Sequence, residues 1–301
     1  MLASKKDFFV KRKKNIRGEL TIVSSIFKQQ FAIFKAYWAA YIIFILLPIV
    51  FTLVPILIGR SISPNYEKNF ESVTGASNAE AYMVLGSVVW VLVIGILWDF
   101  STFLREEQLA GTLESLMMTP VSRFTLAIGR AVFSTTINLF FSLISVTLGL
   151  AIYSPEIFTS LTILKVLLSL IVLVISTIAM IGLSLVIGSL VIVSKEIESI
   201  INALQWIFGT IMGVFFSISL LPWPIRIFSL FFPGTWGLND VRTIMLSTPP
   251  MLAVLGIIPH DSVIIDFVII IILGIVWSVG GLKTFSWVVE STKKKEGLSK
   301  Y

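Results

Sequence analysis

The sequence predicts an all-α polytopic membrane protein with six transmembrane helices, and three observations carry that prediction. Of 301 residues, 56% are hydrophobic and 13% charged, where a soluble domain carries about 25% charge. Six apolar runs are long enough to cross a hydrocarbon layer of about 30 Å, which takes roughly 20 helical residues. The basic residues are uneven: with the N-terminus inside, eighteen of the 23 Lys and Arg fall on the cytoplasmic side. Only Arg60, Lys68, Lys165, Arg226 and Arg242 fall outside. Basic residues flanking membrane helices are retained in the cytoplasm, so both termini are expected there, in a multi-pass protein of the cell (plasma) membrane.

In chain order, residues 1–19 read as a basic cytoplasmic tail. Residues 1–18 hold seven basic residues and one acid, a balance of +6 that equals the net charge of the whole chain. Such a cluster orients the first span and is attracted to anionic lipid. No aromatic interleaving or recognisable module accompanies it, so nucleic acid is not an expected partner. Residues 20–37 form an amphipathic helix: Val23, Ile26, Phe27, Phe31, Phe34 and Trp38 share one side, and Ser24, Ser25, Lys28, Gln29 and Lys35 the other. It is expected along the inner membrane surface, with its aromatic face in lipid. A cleavable signal peptide is not expected, because the first apolar run starts near residue 38 and is too long for a signal core.

The transmembrane domain is placed at 38–289. Its runs cover about 38–59, 83–104, 124–153, 161–193, 200–221 and 263–289. Pro48 and Pro55, seven apart in the first, favour a kink. The forty residues after the fifth run are rich in Pro, Trp and Phe and too apolar for an open loop. Pro222, Pro224 and Pro233 break the run at 220–232, so part of it is expected to re-enter the membrane, shielded by protein. Residues 290–301 form a second basic tail.

Polar residues within the runs need partners. Thr135, Asn138, Ser142 and Ser145 make one stripe, and Gly209, Gly213 and Ser217 recur every four residues in the fifth run. Both stripes fit close helix packing, or a translocation path or dimer contact. Asp99, late in the second run, is expected to pair within protein. The single histidine, His260, lies near Asp261 and Asp266, too few donors for a metal site. There is no cysteine, so disulfides and thiolate chemistry are excluded. No Ser-His pair, HExxH or paired aspartates fall within one span, which argues against an intramembrane enzyme.

The stretch "REEQLAGTLESLMMTPVSR", 105–123, links the second and third runs on the cytoplasmic side. As a helix it gathers Leu109, Leu113, Leu116 and Met117 on one face, and Glu107, Gly111 and Glu114 on the other. Thr119-Pro120 ends it, because proline disfavours helix at the residue before it. A docking helix and an exposed polar linker both fit this pattern.

With the residues that follow, "REEQLAGTLESLMMTPVSRFTLAIGR" resembles the signature of ABC-2 type transporter permeases. Gly111, Thr112, Leu113, Glu114, Thr119, Pro120, Val121, Ser122, Arg123 and Gly129 match, and Arg130 stands where lysine is usual. Farther on, "FFPGTWGLNDVRTIML", 231–246, resembles the family's Pro-x-x-Tyr/Trp and downstream Arg, through Pro233, Trp236 and Arg242. The resemblance implies the permease subunit of an ATP-driven exporter, moving an amphipathic or hydrophobic substrate outward by alternating access. It implies an ABC ATPase as a separate partner and a second copy of this chain. The 105–123 stretch would be the coupling helix, with Glu106, Glu107, Gly111, Thr112, Glu114, Thr119, Pro120 and Arg123 meeting the ATPase. In the family the fifth span lines the dimer interface and path, which makes Gly209, Gly213 and Ser217 candidates, and Asn138 of the third run's polar stripe is a further candidate for path or dimer contact. Pro233, Trp236 and Arg242 would belong to short re-entrant helices forming an outer lid. The chain lacks a G-x-x-x-x-G-K-[ST] loop, so ATP and Mg are expected in the partner and no cofactor in this chain. A passive channel or lipid scramblase without an ATPase is the alternative.

Overall fold

Among the residues that the computed structural model describes, 16–102, 123–191, 197–256 and 263–295, every regular element is helical. The helices are α1 (Ile16–Ala36), α2 (Trp38–Tyr41), α3 (Ile43–Ile62), α4 (Tyr66–Thr74), α5 (Ala79–Ser101) and α6 (Arg123–Tyr153). They continue with α7 (Ile163–Val191), α8 (Ile197–Ile211), α9 (Trp223–Leu230), α10 (Pro233–Leu246), α11 (Met251–Val254) and α12 (Val263–Lys295). Among the described residues five segments are long and apolar enough to cross a membrane: Ile43–Ile62, Ala79–Ser101, Ile128–Tyr153, Ile163–Ser189 and Val263–Thr284. The chain is therefore a polytopic α-helical membrane protein.

α5 is the axis of the bundle. It packs against α3, α6, α7, α8 and α10, and 89% of its apolar window is buried. A helix apolar on all sides is expected at such a centre. α3 and α12 have windows only 17% and 11% buried, and their outward Leu46, Val50, Leu53, Ile272 and Ile275 form surface suited to lipid. The start of α5 is fixed by Asn78, whose Oδ1 accepts the Ala81 N–H at 2.8 Å and the Ser154 hydroxyl at 2.9 Å. Its Nδ2 donates to Glu156 at 2.8 Å. One cap thus joins the α4 end of α5 to the end of α6. Deeper in, the hydroxyls of Thr52 and Ser87 share a hydrogen bond of 2.6 Å that ties α3 to α5.

α7 and α12 approach closely where glycines replace side chains. A Cβ on Gly182 would lie 2.7 Å from Ser278 Cα, and one on Gly281 would collide with the Gly182 carbonyl. Gly182→Leu must push two backbones apart and is expected to cost about 1–3 kcal/mol or more. Gly280→Leu, whose Cβ meets nothing within 4 Å, should be silent. Thermal denaturation of both variants in detergent checks this, and equal melting would contradict the tight crossing.

Three expectations are corrected. The fifth run does not form one helix over 200–221: α8 stops at Ile211 after 15 residues, about 22 Å at helical rise. Gly213 turns the chain there with φ +66°, a left-handed conformation that glycine adopts at little steric cost. Beyond that turn, residues 212–216 continue alongside α5, and the Tyr82 hydroxyl donates to the Phe216 carbonyl at 3.3 Å. The second correction concerns α1, whose aromatic face does not point away from the bundle. Phe27 meets Phe133, Phe34 meets Phe141, and Glu19 accepts from Thr125. The contacts advance along both helices together, so α1 packs lengthwise on the first half of α6. Its polar side, with Ser24, Ser25, Lys28 and Gln29, is exposed as expected. The aromatic rings of α6 cover Phe27 and Phe34, whereas Phe31 and Trp38 of the same side remain exposed. The first span begins at Ile43 rather than 38, after a break at Ile42 that no Gly or Pro marks.

Candidate functional site

Two features meet midway through the bundle: a hairpin of short helices in the half nearer α4, and a cavity in the half nearer α1. The hairpin is α9 followed by α10. Pro224 lies in the first turn of α9 and Pro233 is the first residue of α10, where the missing proline N–H costs no hydrogen bond. The tip reaches deep. Phe231 accepts from Trp277 Nε1 at 2.9 Å, fourteen residues along α12 from Val263. Phe232 packs edge-on against Phe208 at 4.2 Å between ring centroids. A Cβ on Gly234 would meet Met212 at 2.9 Å and Met180 at 3.4 Å. Trp236 donates through Nε1 to the Leu230 carbonyl at 2.9 Å and closes the hairpin on itself.

Arg242 holds the other end of α10. It is 2% exposed. Its Nε and one terminal nitrogen donate to the Tyr82 carbonyl at 3.2 and 3.1 Å, and the other terminal nitrogen to Gly213 at 2.9 Å. The guanidinium also donates to the Val214 carbonyl and lies 3.5 Å from the Tyr82 ring centroid. Burial pulls it down to about 10, so it remains charged at neutral pH. A planar guanidinium with five donors suits three carbonyls and a ring face. It fastens α10 to the first turn of α5 and to the turn that ends α8. Gly86 leaves the room, since a Cβ there would run into Val214 and Arg242.

The cavity has a volume of about 460 Å³, within the 300–1,000 Å³ range usual for small-molecule sites. Ile128, Val132 and Thr135 of α6, Ile181 and Leu185 of α7, and Leu282 of α12 give it a mostly apolar lining, joined by Gly182 and Ser278. The hairpin tip contacts Met180 and Trp277, and the cavity is lined on the same two helices by Ile178, Ile181, Gly182 and Leu185 of α7 and by Ser278 and Leu282 of α12. Such a space can take an alkyl or aromatic group and offers hydroxyls to a polar one.

The expected site residues are dispersed. Pro233, Trp236 and Arg242 are brought together in the hairpin. The α6 stripe splits three ways: Thr135 lines the cavity, Ser145 donates to the Ile45 carbonyl at 2.9 Å, and Asn138 turns to α5. There Asn138 Nδ2 lies 3.1 Å from Ser134 and 3.5 Å from Asp99, and Ser134 donates to Asp99. Asp99 thus pairs within protein, as expected, but with hydroxyl and amide groups. The second stripe does not exist as a helix face. Gly209 faces Trp90 of the same chain, Gly213 makes the turn, and Ser217 caps a short 3-10 turn over Ile218–Leu220. Glu106, Glu107, Gly111, Thr112, Glu114, Thr119 and Pro120 lie outside the described residues, and Arg123 begins α6.

The cavity residues and the Gly182–Gly281 crossing were missed. Their signal was faint: single small residues in long apolar runs, with no stripe on either helix.

Compared with protein-family models and with curated proteins, the chain matches none.

Proposed function

We propose that this chain is the permease subunit of an ATP-driven exporter of the ABC-2 type, moving an amphipathic or hydrophobic substrate. The observations that support the reading are a mostly apolar cavity between α6, α7 and α12 and a hairpin of short helices whose tip packs on α7 and α12. In this reading the cavity and the hairpin lie on one path, with the hairpin closing it toward α4, as one state of an alternating-access transporter requires. The motif resemblances fall at the two ends of this path: Pro233, Trp236 and Arg242 build the closure, and the 105–123 stretch joins α5 to α6 at the opposite end. In this reading the α4 end is outside and both termini are cytoplasmic, following the charge asymmetry. α8 with residues 212–216 makes the sixth crossing, because it runs beside α5 from Gln205, which accepts from Trp90 and Trp98, to Phe216 beside Tyr82. A second copy meets the exposed side of α8, which carries Trp206 and Ile207, rather than Gly209.

The power source is a separate ATPase docked on 105–123. Co-expression with an ABC ATPase, sought first among the genes beside this one, tests the reading. The two proteins should co-purify, and candidate amphipathic substrates should stimulate ATP hydrolysis. A chain that binds no ATPase but moves lipid between leaflets on its own would favour a scramblase instead.

A further inference from the structure

We propose that Asp240 of α10 and Asp266 of α12 form a proton-binding pair that holds a proton while the α9–α10 hairpin is docked. Both side chains are 0% exposed. Asp266 Oδ2 accepts the Met251 N–H at 2.7 Å. Its Oδ1 and both oxygens of Asp240 have no hydrogen-bond partner. A buried carboxylate without donors or a counter-charge is too costly to persist, and the group takes a proton instead.

Among the described residues the surroundings offer no cation. α12 contributes Asp266 itself, a like charge. Glu80 of α5 is paired with Arg60 at 2.8 Å, and Lys165 of α7 stands in that helix's first turn. Arg226 of α9 donates to the Ser219 and Leu221 carbonyls, Arg242 is taken up by the three carbonyls, and α11 carries no charge. Of all these groups only Asp266 acts on Asp240 through its charge. Burial first, and that charge second, push Asp240 up to about 8. Displacing the hairpin into water restores ordinary acidity and releases the proton, so higher pH favours the displaced hairpin. The inference rests on the fold alone and not on the proposed ATPase.

The sign follows from the direction of the shift. A carboxyl whose folded pKa lies above its unfolded value of 3.8 adds stability that is complete below that value and lost as pH rises through about 8. The test uses the purified full-length chain with His260→Gln, which removes its one histidine. Between about pH 5 and 8 the unfolding equilibrium constant should rise about tenfold per pH unit relative to Asp240→Asn. Infrared spectra at pH 6 should carry a protonated-carboxyl C=O band that Asp240→Asn removes. If Asp240→Asn does not fold, Asp266→Asn substitutes, and its band should vanish at lower pH because the like charge is gone. Parallel pH curves, a band that neither variant alters, or stabilisation by sodium at fixed pH that Asp240→Asn abolishes would overturn the proposal, the last in favour of a metal-cation site.

Discussion

Arg242→Ala is expected to abolish transport and to destabilise the chain by about 3–5 kcal/mol, the range seen when a buried charge loses its partner or leaves its partners bare. Three carbonyls, of Tyr82, Gly213 and Val214, lose their donor at once. An unsatisfied buried polar group typically costs about 1–3 kcal/mol. Relaxation and water entry at the α4 end recover part of the sum. Arg242→Lys keeps the charge but loses the planar fork. It should fall between the two, with α10 held at fewer points. Thermal denaturation in detergent reads the stability, and a cysteine at Thr243, labelled by an impermeant thiol reagent, reads the loosening of the hairpin. Native-like melting of Arg242→Ala would mean that packing alone holds α10.

Gly111→Trp and Glu114→Arg are each expected to abolish transport while leaving insertion and expression intact. The reasoning is one of magnitude. On a bare linker an exposed charge is worth no more than about 1 kcal/mol, and its reversal would pass unnoticed. At a desolvated interface, removing one partner of a charge pair costs about 2–5 kcal/mol, enough to separate or uncouple two subunits. Co-purification yield with the ATPase and substrate-stimulated hydrolysis are the readouts. Normal coupling in both variants would make 105–123 a solvated connection.

Membrane class, five of the six runs and the proline-bounded short helices after the fifth were legible because each has a one-dimensional signature: length, apolarity and proline position. The fifth run was misread for the same reason. Gly209, Gly213 and Ser217 fit a helical repeat, yet Gly213 is used for its backbone, and a spacing rule does not separate a packing glycine from a turning one. The amphipathic face of α1 was located correctly, but its partner was not, since periodicity says which side is apolar and not what covers it. The same limit hid Asp240. In sequence it is one more polar residue between Asn239 and Arg242, and only burial beside Asp266 gives it a chemistry. Arg242 was legible as a motif position, but its work as a carbonyl clamp depends on Gly86 and the Gly213 turn, distant in the chain.

The central claim is that this chain carries a hydrophobic or amphipathic substrate across a membrane at the expense of ATP hydrolysed by a partner. Its most direct test is transport of a fluorescent amphipathic probe by the permease and ATPase together in sealed proteoliposomes. The account predicts probe movement that requires both subunits and hydrolysable ATP and that stops with a catalytically inactive ATPase. Equal movement by the permease alone, without nucleotide, would contradict it.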